Sequence, residues 1–164
     1  MAKTDRQALD EAREWLTPKQ WELFERLQPA ERNHALRMLR KLRGQGDDQP
    51  DLLVAALLHD VGKLCYRLNP VERAMIVLAR ATMPRQARRW GDLPQGDIES
   101  LPWWRKAFVV AEQHAKWGAE MARQAGASPL TETLIREHHH PPGLGDGNPE
   151  SDLQYKLWHV DNES

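Results

Sequence analysis

Apolar residues recur at helical spacing along almost the whole chain, and no segment alternates clearly enough to predict a strand. Proline and glycine divide this pattern into segments. The predicted helices begin at or near Thr17-Pro18, Pro29, Pro50, Val71, Trp103, Ser128-Pro129 and Asn148-Pro149. Residues 85–102 have no sustained period, so they predict a loop or short helical pieces. The pattern as a whole predicts an all-α fold, a compact single-domain helical bundle.

A chain of 164 residues is long enough for one domain with its own core and short for two. We predict an N-terminal helical extension over residues 1–28, packed on a main domain over residues 29–164. The predicted helix from Pro50 carries the run Leu52 to Leu58, in which every residue is apolar. We therefore expect this helix to lie at the centre of the domain.

The charge balance argues against two classes of partner. Charged residues make up 29% of the chain, but the formal net charge is only -1, so no global field attracts nucleic acid or an anionic membrane. The apolar run is also far shorter than the roughly 18 residues that span a bilayer. The polar N-terminus lacks a signal-peptide core, and one cysteine cannot form an internal disulfide. We therefore expect a soluble, cytoplasmic protein.

The apolar run ends in the pentapeptide His59-Asp60-Val61-Gly62-Lys63, which places an imidazole, a carboxylate and an ammonium at the end of a core helix. An uncompensated carboxylate is costly in apolar surroundings, so Asp60 needs partners from elsewhere in the chain. The pentapeptide therefore indicates part of a metal site.

Other titratable residues share the apolar faces of their predicted helices. These inward-facing residues are His34, His59, His114, His138 and Asp161. Asp161, for example, follows Leu153 and Leu157 at i+8 and i+4. One buried histidine is usually a hydrogen-bonded core residue, but burying four with two carboxylates would cost several kcal/mol each unless they satisfy one another. A divalent metal, or two with Asp60 between them, would do so. Mixed nitrogen and oxygen donors suit manganese, iron, cobalt or zinc better than calcium, and nickel and magnesium stay open.

This ordered set of residues resembles the HD superfamily of metal-dependent phosphohydrolases, over about residues 29–161. The resemblance implies an HD domain over 29–164 and two metal sites. The implied ligands are His34, His59, Asp60 and Asp161 for the first ion, and Asp60, His114 and His138 for the second. Lys63 matches the family's HDxGK extension, which implies a place beside the substrate phosphate and, with Asp60, a catalytic role. Residues 141–147 stand where the HD-GYP branch carries its Gly-Tyr-Pro motif, so specificity for cyclic dinucleotides is not expected.

Several assignments stay open within this resemblance. His138 continues the apolar stripe of its helix, while His139 lies about 100° further round and is an additional ligand or a substrate contact. His140 and His159 are expected to face outward. The candidates for binding the substrate phosphate, besides Lys63, are Arg67, Arg136 and the group Arg85, Arg88 and Arg89.

The implied function is a phosphohydrolase or phosphodiesterase that acts on a nucleotide or related small-molecule phosphate ester through a metal-activated hydroxide. A di-iron oxygenase on the same scaffold is one alternative, since it would use the same ligand types. A non-catalytic nucleotide-sensing module is another. The native metal separates the first two, because oxygenase chemistry needs redox-active iron and hydrolysis does not.

Overall fold

Proline opens most of the helices in this structure, a computed structural model that describes residues 3–92, 98–140 and 148–163. Within those ranges there are nine α-helices and no strand, which confirms the all-α prediction. The helices are α1 (Lys3–Trp15), α2 (Pro18–Arg26), α3 (Pro29–Gly44), α4 (Pro50–Leu58), α5 (Pro70–Thr82), α6 (Pro84–Gly91), α7 (Trp103–Gln124), α8 (Pro129–Glu137) and α9 (Pro149–Glu163). Seven of the nine start with proline, whose fixed φ suits the first helical turn.

The structure moves one predicted helix start, and in a second segment it decides between two predicted alternatives in favour of short helical pieces. Helix α5 begins one residue before Val71, because Asn69 caps it by accepting a hydrogen bond from the N–H of Glu72 at 3.0 Å. Helix α6 is a regular helix inside the stretch predicted as a loop or short pieces, and its Ala87 is buried against α7. The sequence also predicts that Pro141-Pro142 ends the helix that starts at Ser128-Pro129, but these two prolines lie outside the described residues.

Helix α4 is buried on every side. All of its residues from Leu52 to Leu58 are buried, and α1, α2, α3, α8 and α9 pack around it. The C-terminal end of α4, capped by His59, therefore lies inside the domain and not at its surface.

A glycine contact brings the segment after α4 against α7. Val61–Cys65 forms a short 3-10 helix, and a β-carbon built on its Gly62 would lie 1.9 Å from the carbonyl oxygen of His114 and 2.7 Å from the amide nitrogen of Gly118. Only glycine fits there without a shift of the backbone. This close approach sets Asp60 opposite His114.

A second, smaller apolar cluster joins α5, α6 and the first half of α7, around Ile76 and Phe108. The N-terminal helices belong to the main core, since Ala12 of α1 and Phe24 of α2 are fully buried beside α4. The domain boundary at residue 28 stays a prediction. Among the described residues, no helix has the length and apolar character needed to cross a membrane.

Candidate metal centre

Side chains with metal-binding atoms converge where five helices meet. They are His34 of α3, His59 and Asp60 at the end of α4, His114 of α7, His138 and His139 at the end of α8, and Asp161 of α9. The structure thus brings all the predicted ligands into one cluster. Four of them, His59, Asp60, His114 and His138, are no more than 4% exposed.

One end of the cluster joins α3, α4 and α9. The Nε2 atom of His34 donates to Oδ1 of Asp161 at 2.8 Å, and Nε2 of His59 lies 3.6 Å from the same oxygen. The side chains of His34 and Asp161 are 19% and 18% exposed, so this end opens towards solvent. The three residues have their ligand atoms within 4.8 Å of one another, close enough to hold one ion.

The other end joins α7 and α8. The ligand atoms of His114, His138 and His139 also lie within 4.8 Å of one another, and the Nε2 atoms of His114 and His139 are 3.0 Å apart. His138 is buried, whereas His139 is exposed. Both of the imidazoles left open by the sequence therefore face this end of the cluster.

Asp60 lies between the two ends. Its Oδ2 atom is 3.5 Å from Nε2 of His59, and its Oδ1 atom is 3.5 Å from Nε2 of His114. The Nζ atom of Lys63 donates to Oδ2 at 2.7 Å. Each carboxylate oxygen thus faces a different imidazole, which is the position that a bridging ligand needs.

Hydrogen bonds to backbone carbonyls orient three of the imidazoles. The Nδ1 atoms of His59, His114 and His138 lie 3.0, 2.9 and 2.6 Å from carbonyl oxygens one helical turn earlier. With the proton on Nδ1, each ring turns the lone pair of Nε2 towards the cluster, as metal-binding histidines do. The Nε2 atom of His138 is buried and has no hydrogen-bond partner among the described residues. An inward lone pair without a donor is what a metal ion would satisfy.

The electrostatics favour neutral His114 and His138 and ionised Asp60 and Asp161. Burial lowers the pKa of His114 to about 3, and burial together with the neighbouring imidazoles holds the pKa of His138 well below its usual value. Burial alone would raise the pKa of Asp60, but His59, Lys63 and His114 keep it well below its usual range. The hydrogen bond from His34 likewise outweighs burial and lowers the pKa of Asp161 to about 2. These protonation states are the ones that bind divalent transition metals, so the donor set fits such ions.

A cavity of about 340 Å³ opens beside the cluster. It is lined by Ala30, Glu31, His34, Arg37, Asp60, Lys63, Arg73, His139 and Asp161. Three of these side chains are cationic, and two of them, Arg37 and Arg73, were missed by the sequence analysis. Arg37 follows His34 by one helical turn, so the helical phase of His34 was a signal for it. Arg73 comes from α5, and no pattern in the sequence linked it to α3.

The arginines predicted to bind phosphate lie elsewhere. Arg67 is exposed and does not line this cavity, and Arg136 pairs with Glu132 on the outer face of α8. His140 and His159 are at the surface, as expected, with their rings 3.2 and 3.4 Å from glutamate oxygens of their own segments.

Arg85, Arg88 and Arg89 belong to α6, which packs on α5 and α7, and none of them lines the cavity. Of the residues predicted from the sequence to contact phosphate, Lys63 is the one that lines the cavity beside Asp60.

Comparison with known protein families, with curated proteins and with solved structures found no match. The functional argument therefore rests on the residues of this chain and their geometry.

Proposed function

We propose that this protein is a metal-dependent phosphohydrolase of the HD type, acting on a nucleotide or a related small-molecule phosphate ester. The position of Asp60 carries the proposal, because its two oxygens face different imidazoles, those of His59 and His114, while Lys63 contacts it from the cavity side. Two separate ions that share one carboxylate would need this arrangement. The cavity beside it has the size and the cations that a small phosphate ester requires.

The proposed ligands divide into two sets. His34, His59, Asp60 and Asp161 would hold one divalent ion, and Asp60, His114 and His138 would hold the other, with His139 as a further ligand. When bound, such a pair of ions supplies Lewis-acid chemistry, which activates water and neutralises charge on a phosphoryl group. The metal itself stays open among manganese, iron, cobalt, nickel, magnesium and zinc.

The chain's own cations would bind and orient the substrate. Lys63 holds Asp60 ionised and stands at the cavity edge, where its ammonium can donate to a phosphate oxygen. Arg37 and Arg73 line the same cavity from α3 and α5. Helices α4, α7 and α8 bury the inner ligands and thereby exclude bulk water, which strengthens each electrostatic contact.

The test combines metal content with turnover. The protein is purified without chelator and analysed for metals, and phosphate release is then screened over nucleotides, phosphomonoesters and phosphodiesters with each candidate ion. We expect about two ions per chain and hydrolysis of at least one ester class. A protein that retains metal but hydrolyses no ester contradicts the proposal. Consumption of dioxygen by the iron-loaded form would favour the oxygenase alternative, and nucleotide binding without turnover would favour a sensor.

A further inference from the structure

Glu31 is a buried carboxylate whose second oxygen has no partner. Its side chain is 3% exposed, and it lines the cavity beside the candidate metal centre. Its Oε1 atom accepts a hydrogen bond from Arg73, but its Oε2 atom is buried with no partner among the described residues. An ionised carboxylate oxygen can only accept hydrogen bonds, and leaving it buried and unpaired is costly. This oxygen therefore needs a donor from outside the described chain.

Glu31 shares its cavity with Lys63 and the proposed metal ligands, so a donor to Oε2 would lie next to the proposed phosphate site. Glu31 precedes His34 by three residues on α3, so the two side chains share a face of the helix with their β-carbons about 5–6 Å apart. A small ester whose phosphate lies beside Lys63 and the metal ligands would extend its alcohol half towards Glu31. The cavity volume of about 340 Å³ is at the lower end of the range for small-molecule sites.

We infer that Glu31 and Arg73 form a hydroxyl-recognition subsite, so that the substrate is a phosphate ester of a polyhydroxylated alcohol such as a sugar or a ribonucleoside. One hydroxyl group donates to Oε2 of Glu31, once a turn of the carboxylate brings this buried oxygen to the cavity wall. The guanidinium of Arg73, fixed by Oε1 and by the carbonyl of Leu68, donates to an oxygen of the same ligand. The inference rests on the proposed phosphate-ester substrate, but it can fail separately from hydrolysis.

The experiment measures binding and not only turnover. Hydrolysis-resistant phosphonate analogues of glycerol phosphate, ribose phosphate and adenosine monophosphate are each paired with an analogue that lacks the hydroxyl groups. Calorimetric titration of the manganese-loaded protein compares the members of each pair. We expect the hydroxylated member of at least one pair to bind about tenfold tighter or more, because a hydrogen bond to a charged group discriminates strongly. Equal binding within every pair overturns the inference.

The variant Glu31→Gln keeps the size of the side chain and turns the acceptor into a mixed donor and acceptor. We expect its preference for hydroxylated ligands to fall to about twofold or less, while its metal content and its affinity for inorganic phosphate stay those of the unmodified protein. The matched control is Glu132→Gln, since Glu132 also pairs with an arginine but lies outside the cavity. A preference that survives Glu31→Gln also overturns the inference. Hydrolysis of p-nitrophenyl phosphate by the same preparations tests the proposed function on its own.

Discussion

Replacement of His138 by leucine tests whether the centre binds metal. His138 is 1% exposed, its Nδ1 donates to the carbonyl of Ile135 at 2.6 Å, and its Nε2 has no partner in the described part of the chain. Leucine fills a similar volume and cannot bind a metal. The substitution therefore removes one proposed ligand without placing a new polar group in the core.

Two contacts of His138 predict how much the substitution changes the free energy of unfolding when no metal is bound. An unsatisfied buried nitrogen costs about 1–3 kcal/mol, and removing it recovers that energy. Losing the Nδ1 hydrogen bond costs about 0.5–1.5 kcal/mol. These effects oppose each other, so in chelator the free energy of unfolding of His138→Leu should lie within about 2.5 kcal/mol of the unmodified protein. With metal at a thousand times the dissociation constant of each site, the unmodified protein should gain about 4 kcal/mol per bound ion, and the variant should lose most of the gain from the ion that His138 binds.

Urea denaturation followed by circular dichroism, with chelator and with excess manganese, measures both quantities. The control is His140→Leu, because His140 is two residues away, has a side chain that is 74% exposed and should leave the metal-dependent gain intact. An equal gain in His138→Leu and the unmodified protein would refute the ligand assignment. A loss of several kcal/mol already in chelator would show that His138 is instead a structural core residue.

Three further predictions follow from single contacts. Gly62→Ala should lower the free energy of unfolding by about 3 kcal/mol, because the added β-carbon would lie 1.9 Å from a backbone oxygen. Gly44→Ala is the control: its added β-carbon would have no atom within 4 Å, so urea titration should show a change of less than about 1 kcal/mol. Asp60→Asn should lower the content of both ions, measured by mass spectrometry, while the exposed Asp152→Asn should not; full metal content in Asp60→Asn would contradict the bridging role. Hydrogen bonds outweigh burial and lower the pKa of Asp51 below its ordinary 3.8. The ionised Asp51 therefore stabilises the folded protein fully above pH 3.8, and this contribution is lost as the pH falls through the lower pKa of the folded state. The gap in unfolding free energy between the unmodified protein and Asp51→Asn should therefore be constant from pH 7 to 5 and shrink below pH 3.8; a gap that does not change with pH contradicts this.

The inward-facing cluster of histidines and carboxylates could be anticipated because helical phase is local information. Whether His34 or Asp161 faces the core depends on its spacing from apolar neighbours in the same helix, and the sequence contains that spacing. The same reasoning, extended along α3, would have found Glu31 and Arg37, which lie one turn either side of His34. Helical phase would also have excluded Arg136 from the candidate phosphate-binding residues, because Arg136 precedes His138 by two residues and so lies about 200° away round α8.

Contacts between helices could not be predicted from the helical phase of single helices. Arg73 reaches Glu31 because the chain leaves the 3-10 helix in an extended conformation at Tyr66, with φ of -155°, and turns α5 back towards α3. Arg67 lies in the connection and ends exposed, although it is only four residues from Lys63 in sequence. Proximity along the chain is a poor guide where the backbone changes direction, since a few dihedral angles decide which side chain faces the cavity.

The fold and the candidate site depend on one contact. Gly62 lies within the pentapeptide His59 to Lys63, and Gly118 is one turn beyond His114. Because neither glycine has a side chain, α7 can approach Asp60 closely. The buried carboxylate and imidazoles that result are costly without an ion, so the domain concentrates unfavourable polar burial where its helices pack most closely. Metal binding would offset that cost only in the folded state, because the ligands come from five helices that are far apart in the unfolded chain. Metal affinity and folding stability should therefore fall together whenever this glycine contact is widened.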